Sequence, residues 1–96
     1  MDISDLHILE VIGQRGSLSE AALGLSMSQP TLSRRIDRLE SRLGYSVLIR
    51  GSAGAQLTAA GKFLVSQGAS LQRQMLGLER QASSLAEDTQ NHLALG

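Results

Sequence analysis

Ser28-Gln29-Pro30-Thr31-Leu32-Ser33-Arg34-Arg35-Ile36-Asp37-Arg38-Leu39-Glu40-Ser41-Arg42-Leu43-Gly44 is the stretch on which the reading of the whole chain turns. Ser28 stands where an N-cap hydroxyl takes up an orphan amide, and Pro30 falls in the first turn, where a missing N–H does no harm. Leu32, Ile36, Leu39 and Leu43 recur at intervals of 4, 3 and 4, the period of one buried helix face. Gly44 ends the helix. Arg34, Arg35, Arg38 and Arg42 lie largely off the apolar face, so this helix has a core side and a basic side.

Working outward, Gly24 to Ser28 is a brief connection, and before it lies a short helix over about Leu18 to Leu25. Ala21, Ala22 and Leu25 are small or slender enough there for close packing. Its start, Ser17-Leu18-Ser19-Glu20, has the form of a capping box. A first helix is predicted from Ile3 to Gly13, with Ile3, Leu6, Leu9 and Ile12 in register and Ile8 and Val11 widening the face. Two helices joined by a short turn, the second one basic, make a helix-turn-helix pattern.

On the other side, Tyr45 to Arg50 contains the strand-forming run Val47-Leu48-Ile49, which Gln56-Leu57 can meet across the loop Gly51 to Ala55. Three helices and this hairpin predict a mainly α fold, a winged helix-turn-helix over residues 1–58. Thr58 can cap a last helix, and no proline interrupts the chain from there to Asp88. Residues 64, 68, 71, 75, 78, 82 and 85 are Leu, Gly, Leu, Met, Leu, Ala and Leu, a heptad seam over three repeats. A rod of some 30 residues, about 45 Å long, exceeds what the preceding core can cover. Residues 59–90 are therefore read as a coiled-coil dimerisation helix, with Leu71, Met75, Leu78, Ala82 and Leu85 as its pairing seam.

Composition agrees with one small domain carrying an appendage. A chain of 96 residues buries only about 60–65% of its unfolded surface, and with no cysteine to staple it, a second copy is the expected source of further stability. No apolar run approaches the ~20 residues of a membrane span, and the start Met1-Asp2-Ile3-Ser4-Asp5 is acidic where a secretory leader is basic; both predict a soluble, cytoplasmic chain with no membrane partner. Nine basic and nine acidic residues cancel overall. They are not evenly spread: residues 1–28 carry Arg15 against Asp2, Asp5, Glu10 and Glu20, while residues 29–50 carry five arginines against Asp37 and Glu40. Positive potential concentrated in one segment is the footprint of a nucleic-acid reader.

Together Gly16-Ser17, Ala21-Ala22, Leu25, Ser28-Gln29-Pro30, Leu32-Ser33-Arg34, Ile36, Leu39-Glu40, Leu43-Gly44, Arg50 and Leu57-Thr58-x-Ala60-Gly61 resemble the DNA-binding domain of LysR-type transcriptional regulators, over about residues 3–63. The resemblance implies that the helix after Thr58 is the linker helix pairing two subunits. It implies too that residues 91–96 begin an effector-binding domain belonging to a longer protein. A small-molecule effector would bind that domain, with no cofactor in this chain, and four subunits would assemble only at full length. Leu9, Leu18 and Leu48 stand where the family commonly has Phe, swaps of similar volume that leave a core intact. The family's wing usually carries Arg or Lys; residues 51–56 carry neither.

Gln29, Pro30, Thr31, Ser33 and Arg34 occupy the end of the basic helix that enters a major groove. Gln pairs with adenine and Arg with guanine, while Pro30 or Thr31 suits a thymine methyl; the plain alternative is a polar helix start facing solvent. Arg35 and Arg50 complete the expected DNA-binding set. Arg38 and Arg42 read more simply as solvated ion-pair partners of Asp37 and Glu40 than as phosphate contacts, and Met75 as seam core rather than a redox sensor. His7 and His92 lie far apart, and no His, Cys or carboxylate spacing suits catalysis or a metal. The function expected is sequence-specific binding of double-stranded DNA by a dimer on an interrupted palindrome, for transcriptional control. Two alternatives remain: a winged-helix protein-interaction module docking through its coiled coil, and a regulator of the molybdate-responsive type.

Overall fold

A computed structural model describes residues 1–51 and 54–95, with side chains through Asp88. Its elements are α1 (Ile3–Arg15), α2 (Leu18–Gly24), α3 (Gln29–Leu43), β1 (Leu48–Gly51), β2 (Gly54–Leu57) and α4 (Ala59–Leu95). The fold is mainly helical with one antiparallel hairpin, the winged helix-turn-helix read from the sequence.

Helix starts are set by side-chain caps. Asp2 and Asp5 form a reciprocal box: the Asp5 N–H donates to Asp2 Oδ1 at 2.9 Å and the Asp2 N–H donates to Asp5 Oδ2 at 3.0 Å. The first of these bonds, helped by the positive charge of Arg35, holds the Asp2 carboxyl below its ordinary value of 3.8. A depressed carboxylate stabilises the fold above its unfolded pKa and loses that contribution as pH falls through the folded one. The protection of the first-turn amides of α1 against exchange, relative to their intrinsic rates at each pH, is therefore expected to fall below about pH 4 before the core opens, and uniform protection down to global unfolding would contradict it. At Ser17 only half of the expected box forms: its hydroxyl accepts from the Glu20 N–H at 3.1 Å, and Glu20 makes no return bond.

Three boundaries differ from the sequence reading, and the α2–α3 connection falls where it was expected. The first helix does not stop at Gly13 but continues to Arg15, with Gly16 as its left-handed cap. Gly13 is small for another reason, since a Cβ there would lie 3.0 Å from the Leu57 methyl. In the α2–α3 connection the left-handed residue is Ser26 (φ 55°), while Gly24 ends α2 where a Cβ would crowd the Arg15 guanidinium at 3.1 Å. The hairpin loop is shorter than expected, because Gly51 pairs with Gly54 and Arg50 with Ala55; the two residues between them lie outside the described set. Gly54 has φ 101°, a region that strains any side chain, and this frees the strand to turn there. Finally, α4 continues past residue 90 through Leu95, so residues 91–95, assigned above to the start of a following domain, are helical. Neither proline nor glycine interrupts residues 78–95.

One core holds the body together. Leu9 and Ile12 of α1, Leu32, Ile36 and Leu39 of α3 and Val47 before β1 are fully buried, each contributing about 1.5–3 kcal/mol by its removal from water. Ala21, Ala22, Leu48, Ala55 and Leu57 close the cluster, and Leu64 and Val65 of α4 pack onto it. Gly68 lies against Leu6, where a Cβ would come within 3.0 Å of a methyl. The body therefore extends beyond residue 58: the first three turns of α4 belong to it, and the remainder projects. With 37 residues, α4 is about 55 Å long, which accounts for extents of 67 × 25 × 21 Å.

Candidate nucleic-acid interface

Ser28 builds the start of α3. Its hydroxyl accepts from the Thr31 N–H at 3.2 Å and donates to Thr31 Oγ1 at 2.7 Å, so cap and threonine brace each other. Gln29, Pro30, Thr31 and Arg34 are exposed on the following turns, with Ser33 half-buried. Arg34 has no carboxylate partner among the described residues. A cleft of about 230 Å³ joins Gln29 to Ser17 and Ser19 at the head of α2 and to Arg50 and Gly51 of β1. The structure thus brings Gln29 and Arg50, 21 residues apart in sequence, to one surface.

The two flanks of α3 carry opposite charge, as a helical turn of about 100° per residue requires. Ser33, Asp37 and Glu40 form the wing side. Glu40 Oε2 accepts from the N–H groups of Val47 at 2.7 Å and Leu48 at 3.3 Å, anchoring the entry to β1. Asp37 Oδ1 lies 3.1 Å from Arg50 Nη2, which also reaches the Ser33 carbonyl at 3.5 Å. Arg35, Arg38 and Arg42 form the opposite flank, facing the head of α1.

Arg35 is placed differently from the set it was read with. Its Nη2 donates to Ser4 Oγ at 2.8 Å and its Nε lies 3.4 Å from Asp5 Oδ1. Asp5 is 3% exposed, and its charge is met by Arg35, by Arg42 Nη2 at 3.7 Å and by the Asp2 amide. A buried carboxylate needs such partners, so Arg35 ties α3 to α1. Arg42 pairs with Asp5 rather than Glu40, and Asp37 with Arg50 rather than with Arg34 or Arg38. The sequence reading missed these partners because they lie 13 to 37 residues apart; one local signal, the D-x-x-D spacing of Asp2 and Asp5, was available.

Along α4, Leu64 packs on the core and Gly68 on Leu6, while Leu71, Met75, Leu78 and Leu85 are 43–67% exposed and Ala82 is exposed as well. The seam begins where the body ends. Among the described residues no helix is long and apolar enough to cross a membrane.

A short helix, a tight turn, an exposed second helix and a hairpin folded against it define a winged helix-turn-helix domain. The chain matches the family described as bacterial regulatory helix-turn-helix protein, lysR family, over residues 3–62. It belongs to that family, whose members are transcriptional regulators. The HTH-type transcriptional regulator BbuR of Bordetella bronchiseptica is 32% identical over 96 residues, a match covering 100% of this chain and 30% of that protein. The DNA-binding transcriptional dual regulator OxyR of Escherichia coli is 35% identical over 96 residues, covering 100% and 32%. The chain thus spans about a third of the length of these relatives. Among solved structures, the BenM DNA-binding domain in complex with benA site 1 DNA has a TM-score of 0.76 at 29% identity, covering 90% of this chain and 97% of that one. Vibrio fischeri DarR in complex with DNA has a TM-score of 0.76 at 29% identity, covering 91% and 30%.

Proposed function

We propose that this chain is the sequence-specific, double-stranded DNA-binding part of a transcriptional regulator, acting as a dimer on an interrupted palindrome. The observation that carries this reading is the exposed first turns of α3, with Gln29, Pro30, Thr31 and Arg34 beside Arg50 on one surface, in a fold whose solved relatives include complexes with DNA. In this reading Gln29 and Arg34 meet base edges in the major groove, and Ser33 and Arg50 meet the sugar-phosphate backbone. Arg35 supports from behind by fixing α3 on α1. Two chains pair along the exposed stripe of α4, which sets two recognition helices on half-sites a turn or more apart. A small-molecule effector would act through a further domain of the longer protein, and a DNA partner places the regulator in the cytoplasm.

Selection of bound duplexes from a random pool tests the reading directly. Arg34→Ala is expected to cost about 1–3 kcal/mol on the selected site and to relax preference at one position of each half-site; Gln29→Ala should do the same at a neighbouring position. A uniform loss over all sequences would make Arg34 a phosphate anchor. If neither substitution alters affinity, α3 is not the reading helix. A wild-type chain with no salt-dependent affinity for any duplex would favour the protein-docking alternative.

A further inference from the structure

The wing carries one cation, Arg50, since residues 51–56 contain no Lys or Arg. That cation is held by Asp37 at 3.1 Å. We infer that Asp37 is a positioning residue that governs how much Arg50 contributes to DNA binding, aiming the guanidinium while cancelling most of its attraction for phosphate. The inference rests on the DNA-binding reading above and goes beyond it.

Three observations carry it. First, Asp37 and Ser33 use one nitrogen only. A guanidinium has five N–H donors in a rigid fork, and the Nε and Nη1 hydrogens of Arg50 have no partner among the described residues. They are available to a phosphate while the pair stays closed. Second, both side chains are open to solvent, at 40% and 60% exposure, so the pair sits at the surface a duplex would approach. Third, Asp37 lies on the third turn of α3, on the side of Arg34 that faces the wing, and Arg50 holds it from β1. The pair thus bridges the recognition helix and the wing at their DNA-facing edge.

The two effects of the carboxylate oppose each other, and their sizes decide the sign. Orientation requires only an acceptor at the Asp37 position, which an amide oxygen supplies as well. The charge acts differently. A phosphate bound to the far side of the guanidinium lies about 6–7 Å from the carboxylate, and in a largely aqueous setting that repulsion amounts to roughly three- to tenfold in affinity per subunit at low salt. Counterion release tells the same story. A cation already neutralised by its own chain displaces almost no condensed cation when it meets a phosphate, so Arg50 adds little to the salt slope while Asp37 is charged.

The test is a double-mutant cycle on duplexes selected from a random pool by the wild-type chain, with affinity measured across a salt series. Asp37→Asn keeps the acceptor and removes the charge. It is expected to tighten binding about three- to tenfold per subunit and to steepen log K against log salt by ~0.9 per subunit. Arg50→Ala should change the slope little in the wild type and should remove the whole gain in the Asp37→Asn background. An unchanged unfolding midpoint for Asp37→Asn confirms that the fold is not what moved. If Asp37→Asn binds no tighter, or if its gain survives Arg50→Ala, Asp37 does not act through Arg50 and the inference falls. Such a result leaves the DNA-binding reading standing, whereas a wild-type chain that binds no duplex removes both.

Discussion

Alanine at Gly61 is expected to lower the stability of the domain by about 2–4 kcal/mol. The same change in an open helix interior raises stability by ~0.5–1 kcal/mol, so even the sign is informative. Gly61 lies in the first turn of α4, directly over the strand entry. A Cβ built there overlaps the Val47 carbonyl oxygen and stands 3.3 Å from the Leu57 Cβ. The carbonyl cannot swing aside freely, because it accepts from the Thr58 N–H at 3.1 Å. Thr58 is itself fixed, donating from Oγ1 to the Ser46 carbonyl at 2.9 Å and accepting there from the Gly61 N–H at 3.1 Å. Backbone, not a flexible side-chain tip, must yield. Gly77 serves as the control, since nothing lies within 4 Å of its Cβ position, and Gly77→Ala should gain the ordinary helical increment. Urea unfolding of the two variants measures both. A Gly61→Ala chain as stable as wild type would mean that α4 is not seated on the Val47 carbonyl.

Leu78→Asp is expected to leave the protein monomeric, the largest effect of any exposed substitution. If the α4 stripe pairs with its copy, the dimer loses two leucines from its centre, each worth about 1.5–3 kcal/mol when buried, and must then accommodate two unpaired carboxylates. A total above roughly 4 kcal/mol raises the dissociation constant at least a thousandfold. Within one chain the substitution removes almost nothing, because Leu78 is 65% exposed. Leu76 is similarly exposed at 52% but lies off the heptad seam, so Leu76→Asp should leave the mass unchanged. Sedimentation equilibrium separates the outcomes. A wild-type chain that is monomeric at tens of micromolar, or a Leu76→Asp as disruptive as Leu78→Asp, would overturn the pairing.

Local chemistry made most of the fold legible. The 4, 3, 4 spacing of Leu32, Ile36, Leu39 and Leu43 and the caps Ser28, Gly44 and Thr58 are signals confined to a few residues, and each has its physical consequence in the structure. Legibility failed where a residue answers to a distant neighbour. Gly13 looks like a helix stop, yet it is small so that Leu57 can approach; Gly51 and Gly54 look like loop and are ladder. The same holds at the candidate site. Gln29, Pro30, Thr31 and Arg34 are exposed by virtue of the helix phase alone, which the apolar spacing already encodes. The partners of Arg35, Arg42 and Arg50 depend on how α1 and the hairpin dock on α3, and helical neighbours such as Glu40 and Asp37 are poor guides to that. Glu40, by its helical position a solvated partner for Arg38 and Arg42, instead accepts from two backbone amides.

If two chains pair along α4 as proposed, its unbroken run from the seat on Val47 and Leu6 to the exposed stripe fixes an angular phase between reading head and pairing surface. Each residue inserted between Gly68 and Leu71 would turn the stripe by about 100° and advance it by ~1.5 Å, whereas seven residues would nearly restore the angle and lengthen the arm by about 10 Å. Half-site spacing and rotational setting along the duplex would then be quantised in whole residues of this one helix, as the tooth count of a gear train quantises its motion. Any signal that slips or twists α4 by a single step would change which face of the DNA the second head can reach, without altering one contact in the first.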